Sequence, residues 1–193
     1  MKKEYHSRSY HRFFEDYMEE RVEENGKFHI VRIYIGDYYC PVLTKKARKA
    51  RRFWTAVLYL LTILIYGYCA TRRYVVNTVW FVAVCQGLCL IALFWFLIPL
   101  YYYLSAKEKM TVRQFRDASG LLKKVSLWAA ICFGCTVIAV AVACFFTWKY
   151  MIGIQELLLL LLFFIDSGMM FMIYKMEKNT KYEVLPGDQK GRL

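Results

Sequence analysis

Asp166 is the residue whose setting points most directly to chemistry. It stands in the middle of residues 157–174, which read LLLLLLFFIDSGMMFMIY. A run of about 18 apolar residues with few charges is long enough to cross a bilayer as a helix. An ionisable group inside such a helix marks an ion or proton pathway, or a polar contact between helices. Asp166 precedes Lys175 by nine residues, so it lies roughly 13 Å in from the end of its helix. At that depth the other apolar runs offer Thr62, Trp95 and residues 134–136, which include Thr136, and no Lys, Arg or His. A lone charge is costly to take out of water. The expectation is therefore a neutral carboxyl that donates a hydrogen bond to Thr62, Thr136 or a backbone carbonyl. Such a group serves as glue between helices, as a contact to a partner's helix, or as the proton or cation site of a small transporter. Gln86 is the other strongly polar side chain deep in a run, nearer the opposite face.

Other reactive residue types have plainer readings. Cys132 and Cys135 form a C-x-x-C, which signals redox chemistry in a thioredoxin-like setting. Here both fall in an apolar run, where buried thiols are inert. Cys85 and Cys89, one helical turn apart, read the same way. Met169, Met172 and Met176 share a helix face beside Met170. Soft sulfur suits Cu(I), but methionine is also the usual filler of irregular packing. The histidines are His6, His11 and His29, all outside the apolar runs, so no axial haem ligand is on offer. The chain has no phosphate-binding glycine loop, H-E-x-x-H or nucleophile elbow. No acid, base and nucleophile converge, so a non-enzymatic chain with no cofactor or metal is expected.

The elements that would hold these residues follow from hydropathy. Of 193 residues, 59% are hydrophobic, and they come in blocks rather than in alternation. Four spans are expected, at about 53–70, 75–104, 125–148 and 154–174. Pro99 lies near the end of the second and should kink it. In the third, Ala130 and Gly134 are four apart, as are Cys135, Ala139 and Ala143. Such small-residue spacing lets helices approach closely. The connection 105–124 is polar, and Thr111 with Gln114 resembles a capping box. A short interfacial helix that groups Val112, Phe115 and Leu122 is expected there. The tail 175–193 is polar and expected to fray.

Ahead of the spans, residues 1–52 form an N-terminal region. Tyr10, Phe13, Phe14, Tyr17, Met18 and Val22 have helical spacing, so an amphipathic helix is expected over 9–24, stopped by Asn25-Gly26. Residues 28–35 and 38–43 are rich in β-branched and aromatic types and read as a hairpin about Gly36-Asp37, with Pro41 restricting the second strand to an edge. Lys45, Lys46, Arg48, Lys49, Arg51 and Arg52 then crowd against the first span. They read as a topology signal and as contacts for anionic lipid head groups. The acidic helix over 9–24 would pair with this segment, in competition with lipid.

The net charge of +12 belongs to that topology rather than to nucleic acid, for which there is no motif. Of the 27 Lys and Arg, 24 lie in residues 1–52, 105–124 and 175–193. This places both termini and the central loop in the cytoplasm. The first residues have no apolar core, so no cleavable signal peptide is expected. Seven cysteines, five of them within apolar runs and Cys69 at the end of one, do not make a disulfide framework. The sequence thus reads as an all-α protein of the plasma or inner membrane: two helical hairpins, a small N-terminal region, and a protein partner or further copies of itself beside it in the bilayer. An accessory or scaffold subunit fits best. A small oligomeric transporter or channel built on Asp166 is the alternative.

Overall fold

The computed structural model describes residues 17–24, 27–146 and 154–187. Four long helices dominate it: α1, Lys45–Thr71; α2, Trp80–Ser105; α3, Leu121–Phe146; and α4, Ile154–Lys178. Each is long and apolar enough to span a membrane. A helix closes its backbone hydrogen bonds within itself, which is the condition for crossing lipid. The core is filled by Phe96, Phe133, Leu159, Phe163, Met170 and Ile173. The outer faces expose Trp80, Ile91, Phe94, Phe145 and Phe164. In water that much apolar surface would drive association; against acyl chains it is at home. The helices imply a lipid bilayer around the protein.

α3 packs against both α2 and α4, and α4 packs against α1. The small residues of α3 divide between these contacts. Ala130, Ala139 and Ala143 are buried. At Gly134 the Ser167 hydroxyl would lie 3.8 Å from an added Cβ, so α4 comes close there. Ser167 Oγ donates to the Ala130 carbonyl at 2.9 Å. Cys135, expected to pack with Ala139 and Ala143, is exposed. Tyr59 ties α1 to α2. Its ring stacks on Phe96 at 4.9 Å, and its hydroxyl donates to the Leu93 carbonyl at 2.9 Å.

The helix bounds depart from hydropathy at their starts. α1 begins at Lys45, capped by the Thr44 side chain, so the basic run is its first two turns rather than a preceding loop. α2 begins at Trp80, after a 3-10 turn at Val75–Thr78, and runs on through Pro99. The capping box at Thr111 and Gln114 is formed. The single turn Val112–Phe115 that it starts runs through a wide turn, Arg116–Gly120, into α3. Leu122 is buried, whereas Val112 is exposed. The connection between the third and fourth spans lies outside the described residues.

The N-terminal region differs more. Tyr17–Glu24 is a strand, β1, and Lys27–Tyr34 is β2; the two pair antiparallel, with Tyr17 opposite Tyr34. The helix expected over 9–24 is therefore overturned for 17–24, and 9–16 lie outside the described residues. Short amphipathic segments fit either period, and pairing with a β-rich neighbour decides between them. Asn25-Gly26, read as a helix stop, is also the preferred dipeptide of a two-residue hairpin. The hairpin expected about Gly36-Asp37 does not form. β3, Tyr38–Pro41, pairs instead with β4, Met110–Thr111, and with β5, Tyr182–Leu185, in the order β4-β3-β5. β3 is thus central rather than an edge. It tolerates Pro41 because β4 reaches only Tyr38 and Tyr39.

β5 comes from the tail that sequence alone leaves frayed. Pairing and ring contacts order it: Tyr39 stacks on Phe115 at 4.4 Å, and Phe115 meets Tyr182 edge-on at 4.7 Å. Beyond β5, Gly187 is held so close that an added Cβ would collide with the carbonyl oxygens of Ile35 and Gly36. Gly187→Ala should release the tail. Amide hydrogen exchange over Tyr182–Leu185 is expected to quicken about tenfold or more, the equivalent of ~1.4 kcal/mol, with exchange in α3 unchanged.

Candidate functional site

The inner face of α4 is a strict three-four repeat. Glu156, Leu159, Phe163, Asp166, Met170, Ile173 and Glu177 are all buried on it. Such a repeat keeps one seam facing the neighbouring helices. It carries a carboxylate at each end and one in the middle. Glu156 and Glu177 are each 3% exposed and Asp166 is 0% exposed. At 1.5 Å per residue, Asp166 is about 15 Å from Glu156 and about 16 Å from Glu177 along the axis. Sequence reading singled out Asp166 and passed over the two glutamates, because a charge near the end of a span reads as an interface anchor. Their seam spacing was the signal that would have found them.

Asp166 is unlike the other two. Neither of its oxygens has a hydrogen-bond partner among the described residues. The expected bond to Thr62 or Thr136 is not made. Thr62 donates to the Leu58 carbonyl at 2.9 Å, and Thr136 donates to the Cys132 carbonyl at 3.0 Å. Each hydroxyl gives its proton to the carbonyl four residues back in its own helix, which leaves it only as an acceptor. Thr136 Oγ1 also lies 3.1 Å from Cys89 Sγ. Complete burial removes the partner-helix reading as well, since Asp166 offers no surface to another chain. What remains is a carboxyl held within the bundle and bonded to none of the described residues.

The end of the bundle near Glu156, called here the far end, is knit by polar side chains. Glu156 Oε1 accepts from the Val75 amide at 3.0 Å, which fixes the 3-10 turn against α4. Gln86 donates to Asn77 Oδ1 at 2.8 Å, and Asn77 donates to the Cys69 carbonyl at 3.0 Å. Tyr66 donates to the Gln86 carbonyl at 2.9 Å. Gln86 is thus nearer this end, as expected, and its bonds run by way of Asn77 to the last turn of α1 at Cys69.

The opposite end, beside the three-stranded sheet, is knit by arginines. α2 and α4 both terminate here, and a helix C-terminus leaves carbonyls without partners and a partial negative charge. Arg52 donates to the carbonyls of Leu104 at 3.2 Å and Ala106 at 2.5 Å. Arg51 donates to the Met176 carbonyl at 2.9 Å and to Thr180 Oγ1. Arg48 bonds Glu108 at 2.8 Å. These three, expected at lipid head groups, face protein; Lys45, Lys46 and Lys49 are exposed. Glu177 Oε1 accepts from Ser119 Oγ and, at 2.5 Å, from the Tyr182 hydroxyl. Burial, with the Glu177 carboxylate beside it, pushes the Tyr182 phenol up, so it stays a donor. A cavity of about 20 Å³ lined by Arg48, Arg52, Tyr103, Ser119 and Tyr182 adjoins the cluster, with room for about one water.

Among the described residues no three His, Cys, Asp or Glu lie close enough together to hold a metal ion. No protein-family model matches the chain, and neither a curated protein nor a solved structure matches it.

An unbonded buried carboxyl costs stability, and an apolar side chain of similar size does not. Asp166→Val should therefore raise the thermal midpoint of the protein in mild detergent, with a gain of about 1 kcal/mol or more. If Asp166 held the helices together, the same substitution would lower it.

Proposed function

We propose that this multi-pass membrane protein is a non-enzymatic accessory or scaffold subunit of a membrane assembly. The observation that carries the reading is the β1–β2 hairpin. Among the described residues it is a sheet of two strands only. Its ring contacts at the base join Tyr17 to Tyr34 and Tyr34 to Tyr38. A two-stranded hairpin is marginal alone in water, and each outer edge is a row of backbone donors and acceptors on which another chain can add a strand. Such an element is suited to recognising a partner. The excess of Lys and Arg on the same side supports a cytoplasmic location for it and for both termini, in a plasma or inner membrane.

A photo-crosslinking residue in β1 at Glu20, used in cells, should capture one defined protein. Replacing residues 17–34 by a short Gly-Ser linker should abolish co-purification of that protein while the four helices keep their helical signal. Capture of nothing, or a partner that survives the replacement, would count against the reading.

The division between lysine and arginine supports anionic lipid as the second contact. A lysine held near an anionic surface is worth about 1 kcal/mol, and Lys45, Lys46 and Lys49 are placed for it. Replacing all three by Ala should lower the anionic lipid that co-purifies and leave the thermal midpoint unchanged. Replacing Arg51 and Arg52 by Ala should do the reverse, lowering the midpoint by several degrees.

A second reading, a small oligomeric carrier that uses Asp166, is favoured by one observation. A fully buried carboxyl bonded to none of the described residues is a costly feature for a passive scaffold to keep.

A further inference from the structure

The register of α3 against α4 is fixed at two points. Ser167 donates to the Ala130 carbonyl at 2.9 Å, and Glu177 accepts from Ser119, just ahead of α3. The two helices therefore run antiparallel, with 167 opposite 130 and 177 opposite 119. Where they meet, a groove of about 330 Å³ opens on the outer surface of the bundle. Leu127, Ala130 and Ile131 line it from α3, and Phe164, Gly168 and Phe171 line it from α4. The small residues leave the space, and Ile131, Phe164 and Phe171 stand exposed along it. A Cβ added at Gly168 would have no atom within 4 Å. The one hydroxyl in the lining, that of Ser167, is already bonded to the Ala130 carbonyl. Such a lining takes an apolar occupant, and the volume is at the lower end of the range of small-molecule sites, about 300–1,000 Å³.

Toward the sheet the same helix faces continue into lysines. On α3, Lys123 and Lys124 stand four and three residues before Leu127; on α4, Lys175 and Lys178 stand four and seven residues after Phe171. These spacings keep all four on the faces that line the groove. In the register of the two helices, Lys124 and Lys175 are within about one turn of each other along the axis. All four are exposed, and none forms an ion pair among the described residues. The acids nearest in sequence are engaged elsewhere: Asp117 lies beside Arg113 and Arg116, and Glu177 is buried. We propose that the groove between α3 and α4 binds one anionic phospholipid of the surrounding bilayer. An acyl chain lies along Ile131, Phe164 and Phe171, and the phosphate sits among Lys123, Lys124, Lys175 and Lys178. From Leu127 to Lys124 is about 5 Å of helix, and from Phe171 to Lys175 about 6 Å, so one lipid spans both parts. Basic pockets between membrane helices suit anionic head groups, and lysine meets phosphate as a point charge. The helix of a second copy is a poorer occupant. Two copies inserted the same way would set their lysine clusters side by side, like charge against like. The site goes beyond the head-group contact of Lys45, Lys46 and Lys49 on α1, because it lies on another pair of helices and holds a single lipid by chain and head together.

The test is native mass spectrometry of the full chain in mild detergent, titrated with phosphatidylglycerol or with phosphatidylcholine of the same acyl chains. The first phosphatidylglycerol should bind about tenfold or more tightly than phosphatidylcholine. Replacing Lys123, Lys124, Lys175 and Lys178 by Gln should remove that preference. Where this variant does not fold, replacing Lys124 and Lys175 alone should lower the preference about fivefold or more. Gly168→Leu puts a side chain into open space and should weaken the first phosphatidylglycerol about tenfold or more with every lysine in place. Replacing Lys45, Lys46 and Lys49 by Ala should leave that first lipid within about twofold. Equal binding of the two lipids by the wild type would overturn the site, as would Gly168→Leu without effect or loss of the first lipid with the α1 lysines. A dimer of the wild type that Gly168→Leu dissociates would give the groove to a second copy and overturn it too.

Discussion

The helix ends beside the sheet set the terms for much of this structure. α2 and α4 finish there, each with carbonyls that neither lipid nor the helix itself can satisfy. α1 starts at the same end with a run of basic residues, an unfavourable placement by the helix dipole alone. The conflict resolves across the bundle rather than within the helix. Arg52 reaches the last carbonyls of α2, and Arg51 reaches those of α4. Guanidinium groups suit this task because their donors are fixed in a planar fork. The lysines of the same run have no such fork and stay at the surface. One segment therefore does two jobs, sorted by residue type and by helix face.

The same end shows how separate parts of the chain are joined. Glu177 on α4 receives Ser119 from the turn before α3 and Tyr182 from the tail. Tyr39, Phe115 and Tyr182 stack across β3, the connection and β5. Buried carboxylates are expensive, and Glu177 is stabilised by these donors. Glu156 has one amide. Asp166 has no described donor, so the three acids of a single seam differ in how fully they are bonded.

The misread region is informative about periodicity. Residues 17–24 carry Tyr17, Met18 and Val22 at spacings that suit a helix, with charges between them. The same residues can also line up across from β2, where Tyr17 meets Tyr34 and Glu24 meets Lys27. Local pattern does not rank these two outcomes; a partner strand does. β3 and β5 make the same point at longer range. Val184 pairs with Tyr39 across about three quarters of the chain, and no window of sequence holds both.

Hydropathy by itself determined the four membrane helices, because about twenty consecutive apolar residues have few other ways to satisfy their backbone. It also marked Asp166 as the exception within its span, and residue types three apart determined the capping box at Thr111. Tertiary structure alone decided which side chains surround that carboxyl, since a helix face is legible in sequence but the neighbour it meets is not. It decided that Arg48, Arg51 and Arg52 turn inward while Lys45, Lys46 and Lys49 do not, and that Glu156 and Glu177 are buried with Asp166. Each of these depends on how four helices sit together, and packing between segments far apart in the chain leaves no local signature.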